Sequence, residues 1–191
     1  MPCRVVRRTR CLHGHASRRS RPDTYNRVMT SFGEPVPARR LDLLAWVSAA
    51  SFATLVLGGW LTSMGLGDWY DSLAKPPFQP PAWAFSPAWI TIFVLLTVAT
   101  WRVARHPRGD ARTMVVFGIQ LGLNATWSLL FFALQRPGWA LAEIIALDLV
   151  VVALALLYAR IDRLAGVLLI PYVAWLGLAT AITAWIVRNN P

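Results

Sequence analysis

Residues 69–89, WYDSLAKPPFQPPAWAFSPAW, decide how the rest of this sequence is interpreted. The segment holds five prolines, three tryptophans and one lysine between two long apolar runs. Proline fixes φ and removes the N–H donor, so this density disfavours both helix and sheet. Because the side chains are too apolar for a solvated loop, we predict a loop at a membrane surface that covers a cavity between membrane helices.

The apolar runs beside this segment belong to a set of five that are long enough to cross a membrane. A spanning helix needs about 20 mostly apolar residues. Five windows reach this length: residues 41–62, 83–103, 113–134, 139–159 and 164–187. Charged residues make up 15% of the chain, and the mean hydropathy is +0.47. We therefore predict an all-α integral membrane protein, a five-transmembrane-helix bundle over residues 41–190, with no separate soluble domain.

The net charge of +10 is explained by membrane topology. Eighteen of the nineteen basic residues are arginine, and the exception is Lys75. Sixteen of them lie in residues 1–40 or flank the second or the fourth loop, and these parts share one side of a five-helix bundle. Cytoplasmic loops are enriched in basic residues. We therefore predict a multi-pass protein with its N-terminus and its second and fourth loops in the cytoplasm, and we expect no nucleic-acid partner.

Residues 1–40 form a basic tail that we predict to be disordered. We also hypothesise that translation starts at Met29, so that the first part of this tail is not made. The tail lacks the apolar run of a secretory signal peptide. Its composition also fits an organelle transit peptide or a segment that binds anionic headgroups. Cys3, Cys11, His13 and His15 lie here at spacings unlike those of zinc modules, so we predict no metal site.

The third predicted helix separates polar and aromatic residues from small ones. At about 100° per residue, the two groups fall on nearly opposite faces. The first face carries Gln120, Asn124, Trp127, Ser128 and Phe131, and the second carries Gly118 and Gly122. An unpaired amide is costly in lipid, so the first face must point into the bundle. The residues alone leave open whether these amides bind a ligand or join helices.

Two more helices carry a stripe with a side chain at every fourth position. We predict that the second helix begins with Pro87, a favourable residue for a first turn. The stripes are Trp89, Phe93 and Thr97 in the second helix, and Trp175, Ala179 and Thr183 in the fifth. A small residue such as Ala179 between larger neighbours leaves room for a flat molecule or a close helix.

Two acids lie in the fourth predicted helix. We expect Glu143, about one turn inside the boundary, to reach the headgroups or pair with Arg136. Asp148 lies deeper, and it is either a functional carboxylate or a protonated or hydrogen-bonded side chain between helices. A proton-coupled small-molecule exporter that works through these two acids is therefore one functional alternative.

Three motifs in this chain are similar to those of one family. They are WY-x2-L-x-KP-x3-PP-x-W-x-F-x-P-x-W from Trp69 to Trp89, Q-x3-N-x2-WS-x2-FF from Gln120 to Phe132, and PY-x2-W-x3-A from Pro171 to Ala179. The chain thereby resembles the TspO/MBR family of tryptophan-rich sensory proteins and translocator proteins, the peripheral-type benzodiazepine receptors. The motifs stand in the family's order, and the resemblance covers residues 41–190.

The resemblance implies a five-helix bundle, commonly a homodimer, with a ligand pocket beneath the first loop. The implied ligands are tetrapyrroles such as protoporphyrin and haem, sterol-like lipids and synthetic benzodiazepine-type compounds, with no obligatory cofactor. The implied ligand-binding residues are Trp69, Tyr70, Pro80, Trp89, Phe93, Gln120, Asn124, Trp127, Trp175 and Ala179. Where the last helix of the family usually has an asparagine, this chain has Thr183.

We expect a receptor, sensor or carrier rather than an enzyme. The predicted helices contain no histidine to ligate haem, and the chain has no nucleophile–base set or phosphate loop. The enzymatic alternative is light-dependent breakdown of porphyrin, for which the resemblance implies Trp89 and Trp175. Of the membranes that the family occupies, we expect a bacterial envelope rather than the mitochondrial outer membrane.

Overall fold

Residues 38–190, which the computed structural model describes, contain only helices and their connections. In chain order the helices are α1 Ala38–Ser63, α2 Asp68–Ser72, α3 Phe85–Ala104, α4 Ala111–Ser128, α5 Pro137–Ile161, α6 Arg163–Val167 and α7 Ile170–Asn189. A 3₁₀ turn at Ala82–Ala84 leads into α3, and a π-helical turn at Leu129–Ala133 extends α4. Residues 38–40 of the predicted tail belong to α1, and the predictions on the rest of the tail, including the Met29 start and the cysteine–histidine group, lie outside the described residues.

Five segments are long and apolar enough to cross a membrane, as predicted. They are Leu41–Ser63, Ala82–Ala104, Ala111–Ala133, Pro137–Ile161 and Arg163–Asn189. Large apolar side chains such as Trp46 and Leu149 are exposed on the outside of the bundle, by 76% and 68%. Such a surface suits lipid and not water. The prediction of an all-α, multi-pass membrane protein is confirmed.

The helices are arranged in a ring whose order differs from their order in the chain. α4 packs against α1 on one side and α5 on the other, and α5 packs against α7. α1 also packs against α3, which contacts α6 at the start of the fifth span. The backbones of α3 and α7 stay apart. The membrane surface at which α2 lies, between the first and second spans, is called the loop end, and the surface at which α6 lies is called the opposite end.

Polar contacts hold α3 in place at the opposite end. Arg102 Nε donates to Asp162 Oδ2 at 2.7 Å, which joins α3 to the start of the fifth span. The hydroxyl of buried Tyr158 donates to Thr100 at 2.9 Å, which joins α5 to α3. At this end, α3 is therefore held by direct contact with α6 and by polar side chains from the start of the fifth span and from α5.

The proline-rich segment is a loop only in its middle. Trp69 and Tyr70 lie in α2, and α3 already begins at Phe85, so the prediction of a loop throughout residues 69–89 was wrong at both ends. The prediction that the second helix begins with Pro87 was also wrong by two residues. Pro87 sits in the first turn of α3, where its missing N–H has no helical partner to lose. The irregular part, residues 73–81, is called the proline loop below.

The end of the third span departs from an α-helix, which the sequence analysis did not predict. Across Leu129–Ala133 the N–H of Leu134 donates to the Leu129 carbonyl at 2.8 Å, a hydrogen bond that spans five residues. The wider turn points two consecutive side chains inward, so that Phe131 and Phe132 are both buried. Gly65 lies against the Phe132 backbone, where a Cβ atom would overlap the carbonyl group.

The Arg102–Asp162 ion pair gives the opposite end a defined response to acid. Asp162 also accepts from the Leu164 N–H at 3.0 Å and so caps α6. The hydrogen bond from the Arg102 guanidinium holds the pKa of the Asp162 carboxyl below its usual value of 3.8. A carboxyl with a lowered pKa in the folded protein stabilises the fold when it is ionised.

We expect Asp162→Asn to lower the free energy of unfolding by about 1 kcal/mol at neutral pH, because the charge pair is lost. In the wild type this contribution is complete above about pH 4 and is lost as the pH falls through the lowered pKa of folded Asp162. Thermal unfolding in detergent between pH 7 and pH 3 measures both effects. The matched control is Asp42→Asn, an exposed acid on α1. A variant that parallels the wild type over the whole pH range would contradict this assignment.

Candidate ligand site

Five aromatic side chains meet where the first half of α3 faces the first two turns of α7, about midway along the fifth span, and we call them the α3–α7 cluster. They are Phe85, Trp89, Phe93, Tyr172 and Trp175. The Trp89 ring lies 6.2 Å from the Tyr172 ring and 6.3 Å from the Trp175 ring, at interplanar angles of 73° and 79°. These edge-to-face contacts bring the positive edge of one ring to the negative face of the next. Rings rather than backbones therefore bridge α3 and α7.

A second group of rings, the α2–α4 cluster, lies beneath α2. It comprises Trp69, Tyr70, Trp127, Phe131 and Phe132. Trp127 stacks on Phe131, with ring centroids 5.2 Å apart and an interplanar angle of 21°. Trp69 meets Phe131 at 5.9 Å, and Tyr70 meets Phe132 at 5.6 Å. The π-helical turn thus supplies the two phenylalanine rings on which α2 rests.

Tyr172 joins the polar face of α4 to the α3–α7 cluster. Its buried hydroxyl accepts from Asn124 Nδ2 at 3.0 Å and donates to Gln120 Oε1 at 3.0 Å. Its ring contacts Trp89. Gln120 and Asn124 are buried, which confirms that these amides face the interior. Tyr172 was not among the predicted site residues, although it stands in the PY motif of the last helix.

Several buried polar atoms close to these rings have no partner within the described chain. They include Gln120 Nε2, Trp127 Nε1 and both carboxylate oxygens of Glu143. Gln135 lies in the turn between α4 and α5, and Trp127 and Glu143 are each eight residues away from it. Because α4 and α5 are antiparallel, these two side chains lie at similar depth in the membrane. The interior of the bundle therefore offers N–H donors from α4 and a carboxyl group from α5.

The two acids of α5 differ from each other in their contacts. Asp148 Oδ2 accepts from Thr180 Oγ1 of α7 at 2.7 Å, which agrees with a hydrogen-bonded side chain between helices, and a functional role for this carboxylate stays a prediction. The prediction that Glu143 pairs with Arg136 or reaches the headgroups was wrong, because its oxygens are buried and unpaired. At about 100° per residue, the two acids lie on opposite flanks of the buried stripe of α5. Since Asp148 faces α7, Glu143 faces α4.

The remaining stripe residues of the fifth span complete the inner wall. Ala179 lies one turn beyond Trp175 and is partly buried against the core. Thr183 stands where the family usually has an asparagine, and its hydroxyl donates to the Ala179 carbonyl at 2.8 Å. The Thr183 hydroxyl is therefore satisfied within its own helix, and a polar contact to a ligand is not needed at this position.

The proline loop lies against α2 and the end of α7. Lys75 Nζ stands 4.5 Å from the centre of the Tyr70 ring, and Gln79 Nε2 donates to the Tyr70 hydroxyl at 3.2 Å. Burial raises the pKa of Tyr70 above its usual value of 10.0, and the nearby charge of Asp71 acts in the same direction. The hydroxyl therefore stays protonated at neutral pH. Pro80, the predicted lid residue, is partly buried within this loop.

The structure places the predicted residues in two neighbouring groups rather than in one ring around an open hollow. Trp89, Phe93 and Trp175 belong to the α3–α7 cluster, whereas Trp69, Tyr70 and Trp127 belong to the α2–α4 cluster. Shallow apolar cavities of about 270 and 460 Å³ open on α5 and α7 and on α1, and no predicted site residue lines either of them. Within each group the rings contact one another, so we expect them to change rotamer when a flat ligand enters between them.

Comparisons with known proteins agree with this arrangement of spans and motifs. A model of the TspO/MBR family matches residues 44–188. The tryptophan-rich protein TspO of Archaeoglobus fulgidus is 38% identical over 126 residues, which is 65% of this chain and 82% of that protein. The translocator protein of Sus scrofa is 35% identical over 155 residues, 76% of this chain and 91% of that protein. The tryptophan-rich sensory protein of Cereibacter sphaeroides is 35% identical over 123 residues, 64% of this chain and 77% of that protein.

We expect Tyr172→Phe to lower the free energy of unfolding by about 1–3 kcal/mol, because Asn124 and Gln120 each lose a buried hydrogen-bond partner. The ring contact with Trp89 is kept. Thermal unfolding in detergent measures the loss. The matched control is Tyr158→Phe, a buried tyrosine that donates to Thr100 and should lose less. If Tyr172→Phe lowers the free energy of unfolding by less than Tyr158→Phe does, the Tyr172 hydroxyl does not have the stabilising role that its two hydrogen bonds predict.

Proposed function

The chain belongs to the TspO/MBR family, and from that premise we propose that it is a membrane receptor or carrier for a tetrapyrrole such as protoporphyrin or haem. The ligand would lie between α3, α4 and α7 beneath the proline loop. The tetrapyrrole is the ligand of the site and not an obligatory cofactor. A sterol-like lipid would pack against the same aromatic walls, but it would form hydrogen bonds with fewer of the polar atoms between them.

One observation carries this proposal: buried polar atoms without partners lie beside the aromatic walls. Proteins pair nearly all of their buried polar groups, and an unpaired group is more costly in a membrane than in water. Gln120 Nε2 and Trp127 Nε1 are donors, and the Glu143 carboxyl group accepts. A bound molecule with its own hydrogen-bonding groups would satisfy them. This favours a ligand site over the alternative in which the amides only join helices.

The chemistry of a porphyrin matches the two parts of the site. Its flat, apolar ring system can stack on tryptophan faces, which contributes about 0.5–1.5 kcal/mol per ring pair beyond area burial. Its two carboxylates would lie at the loop end, where Lys75, Arg136 and Arg188 supply positive charge. Charge-assisted hydrogen bonds to these cations would fix the orientation of the plate.

The contact between Trp89 and Trp175 favours a second function, the light-dependent breakdown of a bound porphyrin. The two indole rings lie 6.3 Å apart at the centre of the α3–α7 cluster, and both are only partly buried. An indole beside an excited porphyrin would donate one electron to it, which gives an indole radical cation and a porphyrin radical anion. Molecular oxygen would then oxidise the reduced pigment and be reduced itself, and an electron returned to the indole would complete the cycle. Such a reaction needs no catalytic acid or base.

Charge and surface features support an orientation and an oligomeric state for the protein. Eight of the described basic residues stand at the opposite end, against three at the loop end: Arg39, Arg40, Arg102, Arg105, Arg108, Arg112, Arg160 and Arg163. We therefore expect the opposite end in the cytoplasm and the proline loop outside, in a bacterial envelope. Gly118 and Gly122 are exposed on α4 with open space around them, which supports a homodimer through this face.

We expect purified protein to bind protoporphyrin IX saturably, and Trp89→Ala to weaken binding about 10-fold, since about 1.4 kcal/mol of ring contact corresponds to that factor. Titration followed by intrinsic fluorescence and by the porphyrin absorption band measures the affinity. The control is Trp46→Ala, which removes an exposed indole on α1. Absence of saturable binding, or equal affinities for the two variants, would reject the proposed site.

For the photochemical function, we expect illumination in air to bleach the porphyrin band bound to the wild type. The double variant Trp89→Phe with Trp175→Phe should bleach at the rate of the free pigment, because phenylalanine is a much poorer electron donor. Both positions keep an aromatic ring, so part of the binding should remain. Wild-type bleaching rates in the double variant would rule out this reaction and leave the binding function intact.

A further inference from the structure

We propose that Asn190 is a positioning residue that clasps the proline loop over the site and sets how fast the ligand exchanges. Asn190 follows the last residue of α7, at the loop end. The proposal rests on the proposed function, because it concerns access to the same tetrapyrrole site.

Every hydrogen-bonding group of the Asn190 side chain is used. Oδ1 accepts from the Ala74 N–H at 2.8 Å, and Nδ2 donates to the Ala74 carbonyl at 3.1 Å. The other hydrogen of Nδ2 is directed at the Ile186 carbonyl, 2.9 Å away, within the last turn of α7. Two bonds to the backbone of one residue fix the direction of the loop as well as its position, and the third fixes the amide to its helix.

This clasp is a contact of a different kind from the other polar contacts of the loop. Lys75 and Gln79 both contact Tyr70, which lies in α2, a neighbouring part of the same connection. Within residues 38–190, the Asn190–Ala74 pair is the hydrogen-bonded tie between the proline loop and a membrane-spanning helix. It links residues that are 116 positions apart in the chain.

The stiffness of the loop makes this single tie effective. Four of the six residues that follow Lys75 are prolines, so the segment moves as a unit rather than by local rotations. α2 is held by ring contacts on Phe131 and Phe132. At its other end the loop leads into α3, where Phe85 contacts Trp175 at 5.5 Å. Ala74 is thus the point at which release allows the loop to lift from the end of α7.

The environment of the clasp suits reversible opening. Ala74 is exposed and Asn190 is only partly buried, so water can replace the hydrogen bonds when the clasp opens. Opening therefore leaves no buried polar atom unpaired and requires no unfolding of α7. Such a low-stability contact can open far more often than the helices around it.

The test is the exchange kinetics of protoporphyrin IX, measured by stopped-flow fluorescence on the full chain in detergent or lipid discs. We expect Asn190→Ala to raise the association and dissociation rate constants together by about 10-fold, with Kd changed less than about threefold. Asn190→Asp keeps the acceptor for the Ala74 N–H but loses the donor, so it should give intermediate rates. A residue with only a structural role would change Kd or thermal stability without raising both rates.

Asn189→Ala is the matched control. Asn189 carries the same amide one position earlier, but its Nδ2 donates to the Trp185 carbonyl at 2.8 Å in its own helix. This variant should exchange ligand like the wild type. Hydrogen–deuterium exchange adds a readout without ligand: the Ala74 amide should exchange faster in Asn190→Ala and not in Asn189→Ala.

The outcomes separate the clasp from the site itself. Saturable binding with equal exchange rates for Asn190→Ala and Asn189→Ala would overturn the clasp and leave the proposed function standing. Unchanged deuterium exchange at Ala74 in Asn190→Ala would overturn it as well. If the wild type fails to bind protoporphyrin IX, the proposed function fails, and the role of Asn190 in ligand exchange fails with it.

Discussion

A polar side chain inside a bilayer has no water to bond with, so it must find its partner within the protein. This constraint organises the middle of the bundle. The Tyr172 hydroxyl accepts one hydrogen bond from Asn124 and donates one to Gln120, and it thereby joins α7 to α4 across the interior of the bundle. The Tyr172 ring then sets the position of Trp89 across the seam. Atoms that this network leaves unpaired, such as Gln120 Nε2, are the ones that distinguish a binding site from simple helix packing.

The second feature on which the site depends is that α3 meets the fifth span in two different ways along its length. At the opposite end, the Arg102–Asp162 pair joins α3 to the start of the fifth span, and α3 contacts α6 directly. Near the middle of the fifth span, α3 and α7 meet through the aromatic rings of Trp89, Tyr172 and Trp175. Such rings can change rotamer without breaking a backbone hydrogen bond. The ring contacts are therefore the part of this seam that can adapt to a ligand.

Much of this arrangement follows from sequence pattern alone. The five spans and the burial of Gln120 and Asn124 depend on length and periodicity, which the sequence displays directly. The π-helical turn was missed because its residues, LLFFA, have the composition of an ordinary apolar helix. The role of Tyr172 and the isolation of Glu143 were missed for a different reason. Both depend on which atoms meet across helices, and spacing within one helix does not determine that.

The position of Lys75 has a practical consequence. It is the single lysine of the chain, and it lies in the proline loop with its ammonium group over the Tyr70 ring. Besides the terminal amine, an acylating fluorophore would therefore have one attachment point, located in the segment that covers the site. While the loop is seated, the Tyr70 ring covers one side of this amine. The rate of labelling at this residue would thus report the conformation of the cover, without an engineered cysteine or any other change to the protein.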